Sequence, residues 1–246
     1  MWANNTLALT GTQFISNSAQ ASGGGISVNG SALLQQAAFQ GNLSLTALGG
    51  GAYVFGPLSL ARSSFVGNGA QRGGGLYYAA GNADVVNSLF ARNTATLSGT
   101  AIYIGSTGNV NLEYLTLGNA ALTLGAAIEV EQGNVNLYDS IVAKQAVGLR
   151  NTGGSVLQDY NLFFDDTVDT VGAASGGTHN ITGDPKFVDA AHDNYHLGAN
   201  SAAIDQAIDL GLPIDFDGDS RPSGPGFDIG FDEYTLRFVY IPLVRK

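Results

Sequence analysis

Gly23-Gly24-Gly25-Ile26-Ser27-Val28, Gly49-Gly50-Gly51-Ala52-Tyr53-Val54 and Gly73-Gly74-Gly75-Leu76-Tyr77-Tyr78 are three copies of one phrase: a glycine cluster, then an apolar-x-apolar triplet. Looser copies follow at Gly99-Thr100-Ala101-Ile102-Tyr103-Ile104 and Gly125-Ala126-Ala127-Ile128-Glu129-Val130, and the first glycines lie 26, 24, 26 and 26 residues apart. Ahead of the clusters stand Asn17, Asn42, Asn68, Asn93 and Asn119, spaced 25, 26, 25 and 26. Self-similarity at a fixed period of this length is the signature of a solenoid.

Each repeat holds three apolar segments. The first is an alternating pair such as Leu7-x-Leu9, Leu58-x-Leu60 or Val110-x-Leu112, and the second centres on Phe14, Phe39, Phe65 and Phe90. The third is the triplet after the glycines. Short alternating runs bounded by Gly, Asn and Ser read as strands. Three short strands per 25 or so residues predict an all-β parallel β-helix, its rungs stacked about 4.8 Å apart. Equivalent residues then form columns: an internal aromatic stack at the Phe positions, and an Asn column at a bend that tolerates left-handed geometry. Asn amides can satisfy the carbonyls one rung along. Glycines supply positive φ and close backbone approach at the opposite corner.

Composition agrees. Of 246 residues 44% are hydrophobic, 12% are charged and 35 are glycine, so charge is about half and glycine about twice the usual share. Plentiful, periodic apolar residues argue against disorder. The absence of cysteine excludes disulfides and thiolate metal sites. No apolar run is long enough to span a bilayer as a helix. Residues 1–158 carry five acids against five bases, so the whole net charge of −10 falls in 159–246. Nucleic acid is a poor partner for such a chain, and divalent cations are a better one. Met1-Trp2-Ala3-Asn4-Asn5 has neither the basic nor the apolar region of a signal peptide. The repeat is already running at Leu7, which gives the expectation of a fragment or truncated reading frame.

The pattern Phe-x-x-Asn followed by Gly-Gly-Gly-Ile/Leu resembles bacterial right-handed parallel β-helix surface proteins, including the choice-of-anchor Q group. The resemblance covers roughly residues 5–145 and implies a right-handed coil of seven or eight rungs and an extracellular or cell-surface setting. The phrase Gly108-Asn109-Val110-Asn111-Leu112 recurs 25 residues on at Gly133-Asn134-Val135-Asn136-Leu137. Carried forward, that register puts Lys144 at the position of Asn119. Rungs blur after about 145 and continue irregularly to 183. From Asp184, a series of motifs resembles the closing segment of the same proteins: Asp184-Pro185-x-Phe187, Tyr195-His196-Leu197, Ser201-Ala202-Ala203-Ile204-Asp205, Asp215-x-Asp217-Gly218, Arg221-Pro222 and Asp228-Ile229-Gly230-x-x-Glu233. Residues 184–235 are therefore read as an acidic C-terminal cap covering the last open rung, and 236–246 as an apolar-basic tail that packs on the cap or acts in sorting or anchoring.

Candidate chemistry lies beside the repeat. The middle residue of each triplet points outward if its neighbours point in, which places Ser27, Tyr53, Tyr77, Tyr103 and Glu129 in one outward column. Phe55 and Glu131 stand two residues further along. Tyr53, Phe55, Tyr77 and Tyr103 with Glu129 and Glu131 make a platform for sugar rings, and the favoured reading is a surface module binding a polysaccharide or cell-surface glycan. The same tyrosines also read as a ladder that stabilises the sheet. The alternative function is a polysaccharide lyase, with Lys144 taking the proton α to a uronate carboxylate. No lyase motif surrounds it. Asp215, Asp217 and Asp219 stand at alternate positions, as in loops that hold Ca2+, or else cap turns and pair with Arg221. His179, His192 and His196 show no metal-ligand spacing, and the glycine triplets are corners, not phosphate cradles.

Overall fold

A computed structural model describes residues 1–235; the tail reading for 236–246 falls outside them. The chain is an all-β parallel solenoid of about seven turns. The only helical element among the described residues is a 3-10 turn at Ala190–His192. Strands after the glycine clusters (Ile26–Asn29, Ala52–Phe55, Leu76–Ala80, Ile102–Ile104) stack as the first face. Leu7–Thr10, Ala32–Gln35 and Leu58–Ala61 begin the second face, and Gln13–Ile15, Ala38–Gln40 and Ser64–Val66 begin the third.

The core follows from the alternation. Ile26, Val28, Leu34, Phe39, Val54, Leu60 and Phe65 are fully buried. Phe14, Phe39, Phe65 and Phe90 form the internal aromatic column, with ring centroids 5.0, 4.5 and 4.8 Å apart and planes within 11° of parallel. Leu117, Val142 and Phe163 continue it. In the glycine clusters two demands are separated. Gly49 and Gly73 take φ near +65° at the corner, whereas a Cβ on Gly50 would stand 2.4 Å from the Gly74 carbonyl of the next rung.

The asparagines form a ladder. Asn42 donates its backbone N–H and its Nδ2 to Asn68 Oδ1, both at 2.9 Å, and Asn68 does the same to Asn93 at 3.0 Å. Each also donates Nδ2 to the carbonyl of a core phenylalanine. The expected left-handed geometry falls one residue earlier, at Ser16, Gly41, Gly67 and Arg92. The reason is that the Asn N–H must point along the stack to reach the next side chain. A second difference is a fourth strand column after the Asn bend, formed by Ser18–Ala19, Leu43–Ser44, Gly69–Arg72 and Thr94–Ser98. It is too short and too polar to announce itself by apolar alternation.

Residues 184–235 lie along the flank of the coil and reach back to early rungs, where closure of the last rung was expected. A column of left-handed corner residues (Arg62, Asn87, Tyr114, Asp139) marks the contact. Arg62 Nε donates to the Phe216 carbonyl at 3.0 Å and Asn87 Nδ2 to that of Ile214 at 2.8 Å. Tyr114 donates to the Ile208 carbonyl. The Asp139 carbonyl receives the Gly230 N–H at 2.8 Å. Outward third-face residues Leu89 and Ala91 pack on Tyr195 and Phe231, and Ile141, Ala143 and Leu162 on Leu197, Ala203 and Ile229. These rungs are apolar on both sides of the strand, and the segment buries the outer side. Arg221 anchors it from within: the guanidinium lies 4.2 Å over the Tyr114 ring, pairs with Glu233 at 2.8 Å, and donates to the Asp228 and Gly230 carbonyls.

Candidate functional site

Strand register builds the first face into one outward column: Trp2, Ser27, Tyr53, Tyr77, Tyr103, Glu129 and Arg150, each paired with the next. Tyr53 and Tyr77 stack with centroids 5.6 Å apart, Tyr77 and Tyr103 at 4.9 Å, with planes 18° and 7° from parallel. The tyrosines therefore cover one another's faces and turn edges and hydroxyls outward, so the internal ring faces are closed to a sugar. Phe55, 50% exposed, is the open aromatic surface beside them.

Tyr53 and Tyr77 are half-buried, but Tyr103 and Glu129 are 4% and 6% exposed. The fourth strand column causes this. The Arg72 guanidinium from that column lies 5.4 Å from the centre of the Tyr103 ring, and Ser98 donates to the Glu129 carboxylate. Arg150 Nη1 lies 3.6 Å from the same carboxylate. Burial first, then the hydrogen bond and charge of Glu131, hold the Tyr103 phenol well above its ordinary range. Burial, then the Glu131 charge, raise Tyr77 as well. These hydroxyls stay protonated donors at neutral pH.

Gly105, which has no side chain, leaves a narrow notch one atom wide between the Tyr77 hydroxyl and the Glu131 carboxylate. A Cβ at Gly105 would lie 3.1 Å from the Tyr77 hydroxyl and 3.6 Å from Glu131 Oε2. A small hydroxylated group in that place would contact a donor and an acceptor at once. Searches against protein-family models, curated proteins and solved structures returned no match to this chain. The site's chemistry therefore rests on its own geometry.

Lys144 follows Ala143, which pairs with Gly118, and the register shifts there: the next pair is Thr123 with Gln145, so the expected match of Lys144 to Asn119 falls in the break. Its Nζ donates to the Ala120 carbonyl at 3.1 Å, and its charge bears on Asp184. The carboxylates expected around it are elsewhere: Glu129 and Glu131 on the first face, and Asp139 buried under the flank segment. Asp215 is fully buried, and its oxygens receive the N–H groups of Gly218, Asp219 and Glu233 at 2.9 to 3.0 Å. It organises the turn. Of the three acids at 215, 217 and 219, only Asp217 joins a ligand cluster among the described residues, with His196 and Asp232.

Sequence reasoning missed Arg150 because its rung has shortened: 21 residues separate it from Glu129, so a 25-residue register overshoots. Trp2, 67% exposed at the head of the column, precedes any glycine cluster. It is recognisable only from its pairing with Ser27.

Proposed function

We propose that this protein is an extracellular or cell-surface binding module, a right-handed solenoid of the surface-protein kind, which holds a polysaccharide or cell-surface glycan along its first face. The observation that carries this reading is the Gly105 notch, with the Tyr77 hydroxyl on one side and the Glu131 carboxylate on the other. Hydroxyl-rich ligands need paired donors and acceptors on a surface with apolar area nearby, and buried polar groups discriminate strongly when their partners are missing. Phe55 supplies the apolar area, and Arg72 and Arg150 beside Glu129 and Glu131 give the far end a charged character suited to acidic sugars. The stack repeats at rung spacing, which favours an extended ligand over a single small molecule.

The test is a glycan array with the full chain, followed by titration of any hit. Phe55→Ala and Tyr77→Phe should each weaken binding several-fold, the first by loss of apolar area and the second by loss of one hydroxyl. Gly105→Ala should abolish it: φ there is not left-handed, and the added methyl takes the place between the two groups once the Tyr77 hydroxyl gives by a few tenths of an ångström. Unchanged binding in all three variants, or no hit on any glycan, defeats the reading. Release of unsaturated uronides from a polyuronate, lost in Lys144→Ala, would replace it with the lyase reading.

A further inference from the structure

His196, Asp217 and Asp232 meet in a groove of about 890 Å³ in the flank segment, remote from the first face. One ligand atom from each lies within 4.8 Å of the others. The three residues come from three separate stretches of chain, so no sequence spacing announces them. Each is held in place independently. Asp232, 7% exposed, accepts the Leu197 N–H through Oδ2 at 2.6 Å, and its other oxygen has no hydrogen-bond donor among the described residues. Asp217 stands on the turn that Asp215 organises.

The orientation of the His196 ring follows from its neighbours. The Asn194 oxygen accepts the His196 backbone N–H at 3.3 Å, which fixes the orientation of that amide. The same oxygen lies 2.7 Å from His196 Nδ1, so Nδ1 carries a proton and donates it. The ring Nε2 faces Asp217 Oδ2 at 2.8 Å. A ring nitrogen and a carboxylate oxygen at that distance share a cation, which is a proton or a metal ion. With a second carboxylate, Asp232, converging on the same point, we propose that His196, Asp217 and Asp232 form a binding site for one first-row divalent cation of the Zn2+ or Mn2+ type. The Asn194 hydrogen bond plays the part that outer-sphere partners play for metal-bound imidazoles, setting tautomer and ring direction. One nitrogen and two oxygens suit these cations better than Ca2+ or Mg2+, which prefer all-oxygen sets. Three protein ligands leave positions for water or a ligand group in the groove.

The experiment is metal titration of the full, untagged chain by isothermal calorimetry, with thermal melting and metal analysis after dialysis. One Zn2+ or Mn2+ per chain should bind, raise Tm, and be removed by a chelator. His196→Ala and Asp217→Asn should each lower affinity at least tenfold while the metal-free Tm stays within a few degrees of wild type, since both side chains are partly exposed. Asn194→Ala should weaken binding less. His192→Ala, a control on an exposed histidine, should leave it unchanged. Absence of binding overturns the proposal and leaves a proton as the bridge between His196 and Asp217. Binding that survives both His196→Ala and Asp217→Asn, or that Ca2+ reproduces with equal affinity, overturns it also.

Discussion

Replacing Asn68 with alanine tests whether the ladder holds the rungs together. Asn68 is fully buried, and its Oδ1 is the acceptor for both the backbone N–H and the Nδ2 of Asn42. Truncation orphans those two donors in a site closed to water, and the Phe39 carbonyl loses its side-chain donor. At about 1–3 kcal/mol for each buried unsatisfied donor, the loss is roughly 2–6 kcal/mol. That is a large fraction of a folding stability of about 5–15 kcal/mol. The comparison is Asn17→Ala. Asn17 is exposed, and its side chain only donates, to Asn42 Oδ1. That oxygen keeps the Asn17 backbone N–H at 3.0 Å after the change, so the expected cost is below about 1 kcal/mol. Urea unfolding followed by tyrosine and tryptophan fluorescence measures both. Equal losses for the two variants would refute the assignment of stability to buried ladder bonds, because chemistry is the same and only burial and acceptor role differ.

Other expectations follow from single contacts. Gly50→Ala should destabilise severely and lower soluble expression, since its Cβ would stand 2.4 Å from the Gly74 carbonyl; Gly11→Ala meets nothing within 4 Å and should cost only about 1–2 kcal/mol of left-handed strain, read from the same denaturation curves. Arg221→Ala strips the partner from fully buried Glu233 and should cost about 3–5 kcal/mol, whereas the double variant Arg221→Met with Glu233→Gln should recover part of that loss. Asp139 is buried, and burial pushes its carboxyl up to about 7 against the lowering effects of the Ile208 N–H and Arg221. The folded state therefore binds this proton more tightly than the unfolded chain does. Its contribution is present in acid and is lost as pH rises from about 4 to about 7, at no more than about 1.4 kcal/mol per pH unit. Urea midpoints at pH 5.5 and 8 should differ less in Asp139→Asn than in wild type, and an unchanged difference would show that Asp139 does not set it.

Much of the fold is legible because a solenoid imposes one geometry on every turn. Phe14, Phe39, Phe65 and Phe90 must recur at rung spacing for their rings to stack, and Asn17 to Asn93 must recur for the ladder to close, so architecture is written into the period itself. What breaks the period is not recoverable that way. The Ser18 to Ser98 column is short and polar, yet it buries Tyr103 and Glu129, which alternation alone turns toward solvent. Arg150 joins the outward column only because its rung is three to five residues shorter than the others. Docking of the flank segment is invisible for another reason. Its contacts with Arg62 and Asn87 span 154 and 127 residues, and no local pattern encodes an approach from that distance.

The corner column shows how these levels connect. Left-handed φ costs about 1–2 kcal/mol for a residue with a side chain, and glycine or asparagine would avoid most of it. The molecule nevertheless places Arg62, Tyr114 and Asp139 at three of the four corners of this column. Each reaches a backbone group of the flank segment: Phe216 from Arg62, and Ile208 from both Tyr114 and Asp139. Corner strain and flank docking are thus two sides of one arrangement. The same docking fixes the turn that carries Asp217, because Arg62 holds the Phe216 carbonyl next to it. The Arg62→Gly variant separates the two effects. It relieves the corner and removes the tether, so the rungs should tolerate it while the affinity of the His196–Asp217–Asp232 site for Zn2+ falls. A variant that loses rung stability and keeps full metal affinity would mean that the corner serves the coil alone.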